Sequence, residues 1–166
     1  GYVSQENILF SRSLAENVAF GRPDASMEEV TTALFRASLD HRDPSIPNGL
    51  DTIVGERGIT LSGGQKQRTS IARALLLDPP ILILDDSLSS VDSDTEEAIL
   101  EQIRALRKHK TTIIVAHRMT AVAHADEIVV LDDGHVLERG DHHRLMECDG
   151  LYADMVRRQE LEAGLQ

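Results

Sequence analysis

The sequence predicts an α/β fold with a mostly parallel sheet, and three observations point there. Two short apolar runs, "ILILD" (Ile81–Asp85) and "TTIIVA" (Thr111–Ala116), lack the alternation of a half-exposed strand and read as parallel strands buried on both sides. Segments with apolar residues at helical spacing stand before, between and after them, the pattern of a layered α/β domain. The composition, 41% apolar and 27% charged over 166 residues, suits one soluble domain with a buried core.

Each element has a local signal. Tyr2 to Ser4 reads as the end of a strand. In "DASMEEVTTALFRASL", Ser26 stands three residues before Glu29 as a capping box, and Val30, Ala33, Leu34 and Ala37 follow at helical spacing, predicting a helix over Met27–Ser38. The stretch His41–Gly58 is rich in Pro, Gly, Asn and Asp and reads as an irregular connector. A helix is expected over Gly63–Leu77, with Ile71, Ala72, Ala74 and Leu75 inward, ended by Asp78-Pro79-Pro80. Ser93–His109 carries acids in its first turn and bases in its last, matching the helix dipole, with Ala98, Ile99, Ile103 and Leu106 inward. "EIVVLDDGHVLERG" predicts two strands joined by a turn at Asp133-Gly134. Two short helices follow, Asp141–Cys148 and Leu151–Leu161.

Several function classes are excluded on charge and composition. A formal net charge of −11 opposes nucleic-acid binding, which needs a basic face. No basic amphipathic stretch suggests direct membrane docking, and no run approaches the ~20 apolar residues of a membrane span. Cys148, alone, can form no internal disulfide, and its place on a short helix reads as packing. The pair His142-His143 reads as solvated positions near a helix start. Tyr2 and Tyr152 offer too little aromatic surface for base stacking. The abrupt opening "GYVSQ" reads as the interior of a larger domain.

Three places carry chemistry. In "LSGGQ" (Leu61–Gln65) two glycines leave backbone N–H groups open at a helix start, and Ser62 adds a hydroxyl; the helix dipole points the same way, which suits phosphate. The plainer reading is a turn that caps a helix. "ILILDD" delivers Asp85 to the carboxyl edge of a parallel strand, where α/β proteins place ligands; Asp85 there suits Mg²⁺ on a nucleotide's phosphates and Asp86 an attacking water. The alternative is two aspartates that begin a loop. In "VAHRM", His117 ends the second strand and can donate to a developing phosphate charge, or be structural.

In this order and spacing the motifs resemble the later two-thirds of the nucleotide-binding domain of ATP-binding-cassette (ABC) transporters. Gln5 in "YVSQENILF" sits like the family's Q-loop glutamine, "LSGGQ" like its signature and "ILILDD" like its Walker B strand. "SSVD", ending at Asp92, resembles the D-loop, and His117 the switch histidine. "TIVGERG" (Thr52–Gly58) resembles the X-loop of the exporter branch, and the tail from Gly140 to Glu162 resembles exporter C-termini.

The resemblance implies a partial P-loop NTPase (RecA-like) core with the ABC α-helical subdomain: residues 6–80 the helical, signature-bearing part, and 81–166 the remaining core and C-terminal helices. It implies ATP and Mg²⁺ as cofactors. Asp86 and His117 would be catalytic, Gln5, Ser62, Gly63, Gly64, Gln65 and Asp92 nucleotide-binding, and Asp85 with Gln5 the metal ligands. Two such domains pack head to tail in the family, so the partner implied is a second nucleotide-binding domain, together with membrane domains met through the Q-loop and X-loop. The setting implied is the cytoplasmic face of the inner membrane, and the task export of drugs or lipids.

Two departures qualify this. No G-x-x-x-x-G-K-[ST] occurs, and the family places that loop upstream of the Q-loop, so this chain alone is expected to be inactive. Asp86 stands where the family usually has glutamate; its carboxylate is withdrawn by roughly 1.5 Å, and a misplacement of about 1 Å costs on the order of a hundredfold in rate. The pattern resembles the impaired half of a heterodimeric multidrug-type exporter. The alternatives are a soluble ABC-type ATPase of DNA repair or translation and a nucleotide-binding regulatory module without hydrolysis.

Overall fold

A parallel sheet forms around Ile81–Asp85, the most apolar run of the chain. The computed structural model describes residues 1–55 and 61–164. Its strands and α-helices are, in order, β1 (Tyr2–Val3), β2 (Arg12–Ser13), α1 (Leu14–Val18), α2 (Met27–Arg36), β3 (Ile53–Val54), α3 (Gly63–Leu77) and β4 (Ile81–Asp85). There follow α4 (Ser93–Leu106), β5 (Thr111–Val115), α5 (Met119–Val122), β6 (Ile128–Asp132), β7 (His135–Gly140), α6 (His142–Glu147) and α7 (Leu151–Gly164). The chain divides into two units, Gly1–Val115 and Ala116–Gln166.

In the first unit the strand order is β1-β4-β5, all parallel, with Val3 opposite Leu84 and Asp85 opposite Val115. One face of this sheet is core: Val3, Leu82 and Leu84 are buried, together with Ile71, Ala72 and Leu75 of α3 and Ile99 and Ile103 of α4. The other face departs from the expectation of strands buried on both sides. Tyr2, Ile81, Ile113 (47% exposed) and Val115 (49%) all lie open there, because no element among the described residues covers them. The period-2 geometry of a strand sends alternate residues to that side whatever their polarity.

The helices follow their caps. Ser26 and Glu29 form the expected capping box at α2, and Val30, Ala33, Leu34 and Ala37 are buried as expected. The helix ends at Arg36, two residues early, where Ser38 turns left-handed at φ 54°. An unexpected helix, α1, uses the same device, Ser13 with Glu16. In α4 the inward face is Glu96, Ile99, Leu100 and Ile103, while Ala98 and Leu106 point out. Ile99 and Ile103 are inward as expected, and Glu96 and Leu100 take the remaining inward places in the stead of Ala98 and Leu106. α3 packs against α1, α2 and β1 and is buried over most of its circumference. Between β1 and α1 the chain is held by Asn17, fully buried, whose side chain accepts from Phe10 N–H (2.9 Å) and donates to the carbonyls of Phe10 and Ser13 (3.0 Å each). Arg73 of α3 donates to the Asn17 carbonyl at 2.8 Å and lies over the stacked rings of Phe10 and Phe20. Burial depresses its guanidinium pKa.

The second unit is a hairpin with three helices. β6 and β7 pair antiparallel through Asp133-Gly134, both at positive φ as a tight hairpin turn requires. Its core is Met119, Ile128, Leu145, Tyr152 and Val156. His142 is not a solvated position: its Nδ1 lies 2.8 Å from the Tyr152 hydroxyl. Cys148 is exposed rather than packed, because it lies past the end of α6, beyond the turn that buries Leu145. Among the described residues no helix is long and apolar enough to cross a membrane.

Candidate functional site

The N-terminus of α3 is built from Ser62 upward. Ser62 is extended and caps the helix: its hydroxyl accepts from Gln65 N–H (3.2 Å), while its own N–H donates to Gln65 Oε1 (2.9 Å). Gln65 is fixed from the other end too, its Nε2 donating to Ser45 Oγ at 2.7 Å. The Ser45 hydroxyl donates to Asp43 Oδ1 (2.6 Å), and the hydrogen bonds from Ser45 hold that carboxyl below its ordinary pKa. The amide of Gln65 is therefore spent on positioning the turn. What the turn leaves to a ligand is the backbone of Gly63 and Gly64 at the positive end of a fifteen-residue helix.

Beside it lies the segment 89–92. Ser62, Gly63, Gly64, Arg68, Ser90, Val91 and Asp92 line one open depression of about 360 Å³. The approach is close: a Cβ on Gly64 would lie 3.0 Å from the Ser90 carbonyl oxygen, and one on Gly63 3.4 Å from Ser90 Cβ. Packing thus favours glycine at position 64, whereas a Cβ at 63 would make a contact close to ordinary van der Waals distance. Asp92 itself caps α4, accepting from Thr95 N–H at 2.9 Å, and that bond, with a smaller share from the Arg68 charge, lowers its pKa.

Asp85 and Asp86 sit at the carboxyl end of β4, as the sequence suggests. The Tyr2 hydroxyl donates to Asp85 Oδ2 at 2.7 Å, which raises the phenol's pKa. Gln5 Nε2 donates to Asp86 Oδ2 at 3.0 Å. Only one orientation of the Gln5 amide makes that bond, which leaves its Oε1 outward. Asp86 takes a left-handed backbone, φ 45°, while its N–H continues the ladder to the Val115 carbonyl at 2.9 Å. Asp85 Oδ1 and Gln5 Oε1 are thus the oxygens left for a hard cation. Among the described residues no cluster of three or more His, Cys, Asp or Glu side chains gathers elsewhere to hold a metal. This donor set fits Mg²⁺, which keeps several waters and rides on phosphates, better than an ion needing a full protein cage.

The structure therefore brings Gln5 to Asp86 and gathers Ser62, Gly63, Gly64 and Asp92 around one depression. His117 belongs to the second unit, where its carbonyl accepts from Gln159 Nε2 at 2.6 Å. Of the X-loop-like stretch, Glu56, Arg57 and Gly58 lie outside the described residues. Sequence reasoning missed Tyr2, Ser45 and Gln67. Tyr2 had no signal within the sequence, since its place beside Asp85 depends on the pairing of β1 with β4. Gln67 had one: it is a polar residue four before Ile71 on the buried side of α3. Ser45, in an irregular loop, had none.

A strand-borne aspartate pair and a glycine-opened helix start beside one parallel sheet mark an α/β protein whose exposed groups suit an anion and a hard cation. Comparison makes that particular. The ABC transporter family model matches residues 1–89, and the chain belongs to that family. It is 52% identical over 161 residues to a probable multidrug resistance ABC transporter ATP-binding/permease protein of Bacillus subtilis, covering 97% of this chain and 28% of that protein. A mitochondrial potassium channel ATP-binding subunit of Xenopus tropicalis is 48% identical over 163 residues, 98% of this chain and 24% of its own length. Among solved structures, a bacterial Atm1-family ABC exporter with ATP bound superimposes with a TM-score of 0.88 at 46% identity, over 96% of this chain and 28% of that one. The chain spans about a quarter of the length of these relatives.

Proposed function

We propose that this chain is part of the ATP-binding and ATP-hydrolysing domain of an ABC exporter that moves drugs or lipids across the membrane. The observation that carries the reading is the depression between Ser62–Gly64 and Ser90–Asp92, opened by glycines at a helix N-terminus. In the proposed assembly a second nucleotide-binding domain packs head to tail, and this chain's Ser62, Gly63, Gly64 and Gln65, with Asp92, close over the partner's ATP. Ser62 and the glycine N–H groups grip its terminal phosphate, and Gln65 holds the turn that presents them.

In the first unit the chain's own half-site is Gln5, Asp85 and Asp86, and the family resemblance assigns His117 of the second unit the role of switch histidine. Asp85 and Gln5 would hold Mg²⁺, which when bound offsets the charge of the phosphates. Asp86 orients water from a carboxylate one methylene shorter than glutamate, and His117 donates to the phosphate charge. The short reach of Asp86 makes this half-site slow, so the assembly is read as a heterodimer with one impaired site. Residues 6–80 form its helical, signature-bearing part and 81–166 the remaining core. The membrane domains are met through the Q-loop and X-loop regions, at the cytoplasmic face of the inner membrane, and the fragment alone is inactive.

The test is ATP turnover and dye or lipid transport by the complete transporter in proteoliposomes. ATP-dependent transport that is lost when the signature glycines are replaced supports the reading. A transporter that binds ATP without turning it over would favour the regulatory module instead.

A further inference from the structure

Gln67 lies one turn beyond Gly63, beneath the depression just described. It is 3% exposed, and both ends of its amide are used. Nε2 donates to Ser89 Oγ at 3.2 Å, and Oε1 accepts from Ser90 N–H at 2.9 Å. Ser89 Oγ in turn donates to the Asp86 carbonyl at 3.0 Å. The depression has two walls, the start of α3 with Arg68 and the segment Ser90–Asp92. One side chain rooted in the first wall therefore holds the second.

Gly64 sets the opposite limit. A Cβ there would lie 3.0 Å from the Ser90 carbonyl oxygen, so the walls stand closer than a residue larger than glycine fits without a shift. They cannot open without breaking the bonds of Gln67. We propose that Gln67 is a positioning residue that fixes the width of this depression, so that the signature turn and Asp92 meet a partner's nucleotide as one rigid surface. The inference rests on the ATP-site reading above.

The chemistry asks for a carboxamide of this length. Ser90 N–H finds its acceptor and Ser89 Oγ a donor in one side chain, and a carboxamide supplies both. Asparagine falls short by one methylene. Glutamate keeps the acceptor, loses the donor and buries a charge. Methionine fills the volume with neither.

The experiment is the ATP dependence of turnover by the complete transporter, with the melting temperature followed in parallel. Gln67→Met is expected to raise KM for ATP about fivefold or more while kcat at saturating ATP stays within about twofold, the mark of lost nucleotide binding rather than lost chemistry. Gln67→Glu and Ser89→Ala, which each remove one bond, should raise KM by about twofold. If Gln67→Met does not fold, these two decide. KM unchanged in the variants, whether the melting temperature falls or not, overturns the proposal and leaves Gln67 a packing residue; so does a fall in kcat at constant KM. A wild-type transporter that neither binds nor turns over ATP overturns the function reading itself, and this inference with it.

Discussion

The two ends of the site are built to different standards. At the start of α3 the side chains of Ser62, Gln65 and Gln67 are anchored: Ser62 and Gln65 cap one another, Gln65 is tied to Ser45, and Gln67 clasps Ser89 and Ser90. At the end of β4, Asp85 and Asp86 each rest on one exposed donor, Tyr2 of β1 and Gln5 of the segment that leaves it. The difference follows from what each end offers. Backbone N–H groups bind only where the chain puts them, so a glycine site must be rigid before its ligand comes. Carboxylate oxygens on short side chains can adjust to a cation that arrives with its own waters and phosphates. The half that would serve another chain's nucleotide is thus preformed here, and the half that would serve its own is not.

The sharpest way to break this contrast is Gly64→Ala in the complete transporter. A methyl group 3.0 Å from the Ser90 carbonyl must push the two walls apart. The shift needed is a few tenths of an ångström, and it is expected to cost on the order of tenfold in ATP turnover. Turnover near the wild-type rate would show that the signature wall is compliant. The second prediction concerns the looser end. Asp86→Glu restores roughly 1.5 Å of reach and should raise turnover by about tenfold, read in the same assay, if only the base is lacking. No change would mean that the half-site is impaired beyond this one carboxylate.

Much of this was legible in the sequence, for reasons that differ by region. The capping signatures at Ser26 and Ser62 and the Asp133-Gly134 turn are local, so a window of a few residues contains the whole cause. The same Ser-x-x-Glu signature marked α1 at Ser13, and only its shortness hid it. The aspartates were placed correctly because a strand must carry its last residues to the sheet edge. What could not be read was long-range. The exposure of Ile113 and Val115 depends on which layers cover the sheet, and the apolar run alone looks the same either way. The bond from Tyr2 to Asp85 spans 83 positions, and that from Gln5 to Asp86 spans 81, so only the parallel pairing of β1 with β4 reveals them. In α4 the inward places of Ile99 and Ile103 were legible, while Glu96, a charged residue, takes an inward position that a hydrophobicity pattern assigns outward.

Tyr2→Phe probes the looser end more gently. It removes the hydroxyl that fixes Asp85 Oδ2 and keeps the ring, so the apparent affinity for Mg²⁺ in the presence of ATP should fall by about threefold to tenfold, less than the full worth of a hydrogen bond to a charged group because Tyr2 is exposed. A Mg²⁺ titration of turnover, repeated with Mn²⁺ binding as an independent reading, checks it. The hydrogen bond to Asp85 raises the phenol's pKa above 10, so the difference between wild type and variant should not change between pH 6 and pH 9. A difference that varies across that range would assign the effect to another group. Ser62→Ala should be milder in stability, about 1 kcal/mol for a lost cap. It should cost more in turnover than in melting temperature if the hydroxyl also meets phosphate.

The smallest expected effect separates the two roles of Asp92, which caps α4 and lines the depression. Its pKa is lowered chiefly by the Thr95 N–H, so the folded state binds a proton less readily than the unfolded chain does. The stability it contributes is therefore complete above the ordinary aspartate value of 3.8 and is lost as pH falls through its lower folded value. Asp92→Asn keeps a capping oxygen and has no proton to take up. Thermal melts should then coincide for wild type and variant at pH 7, with the wild type losing slightly more stability below pH 4. If turnover falls in Asp92→Asn while the melts at pH 7 coincide, the carboxylate acts in the depression rather than in the cap. Its charge then belongs to the nucleotide surface that Gln67 holds in place.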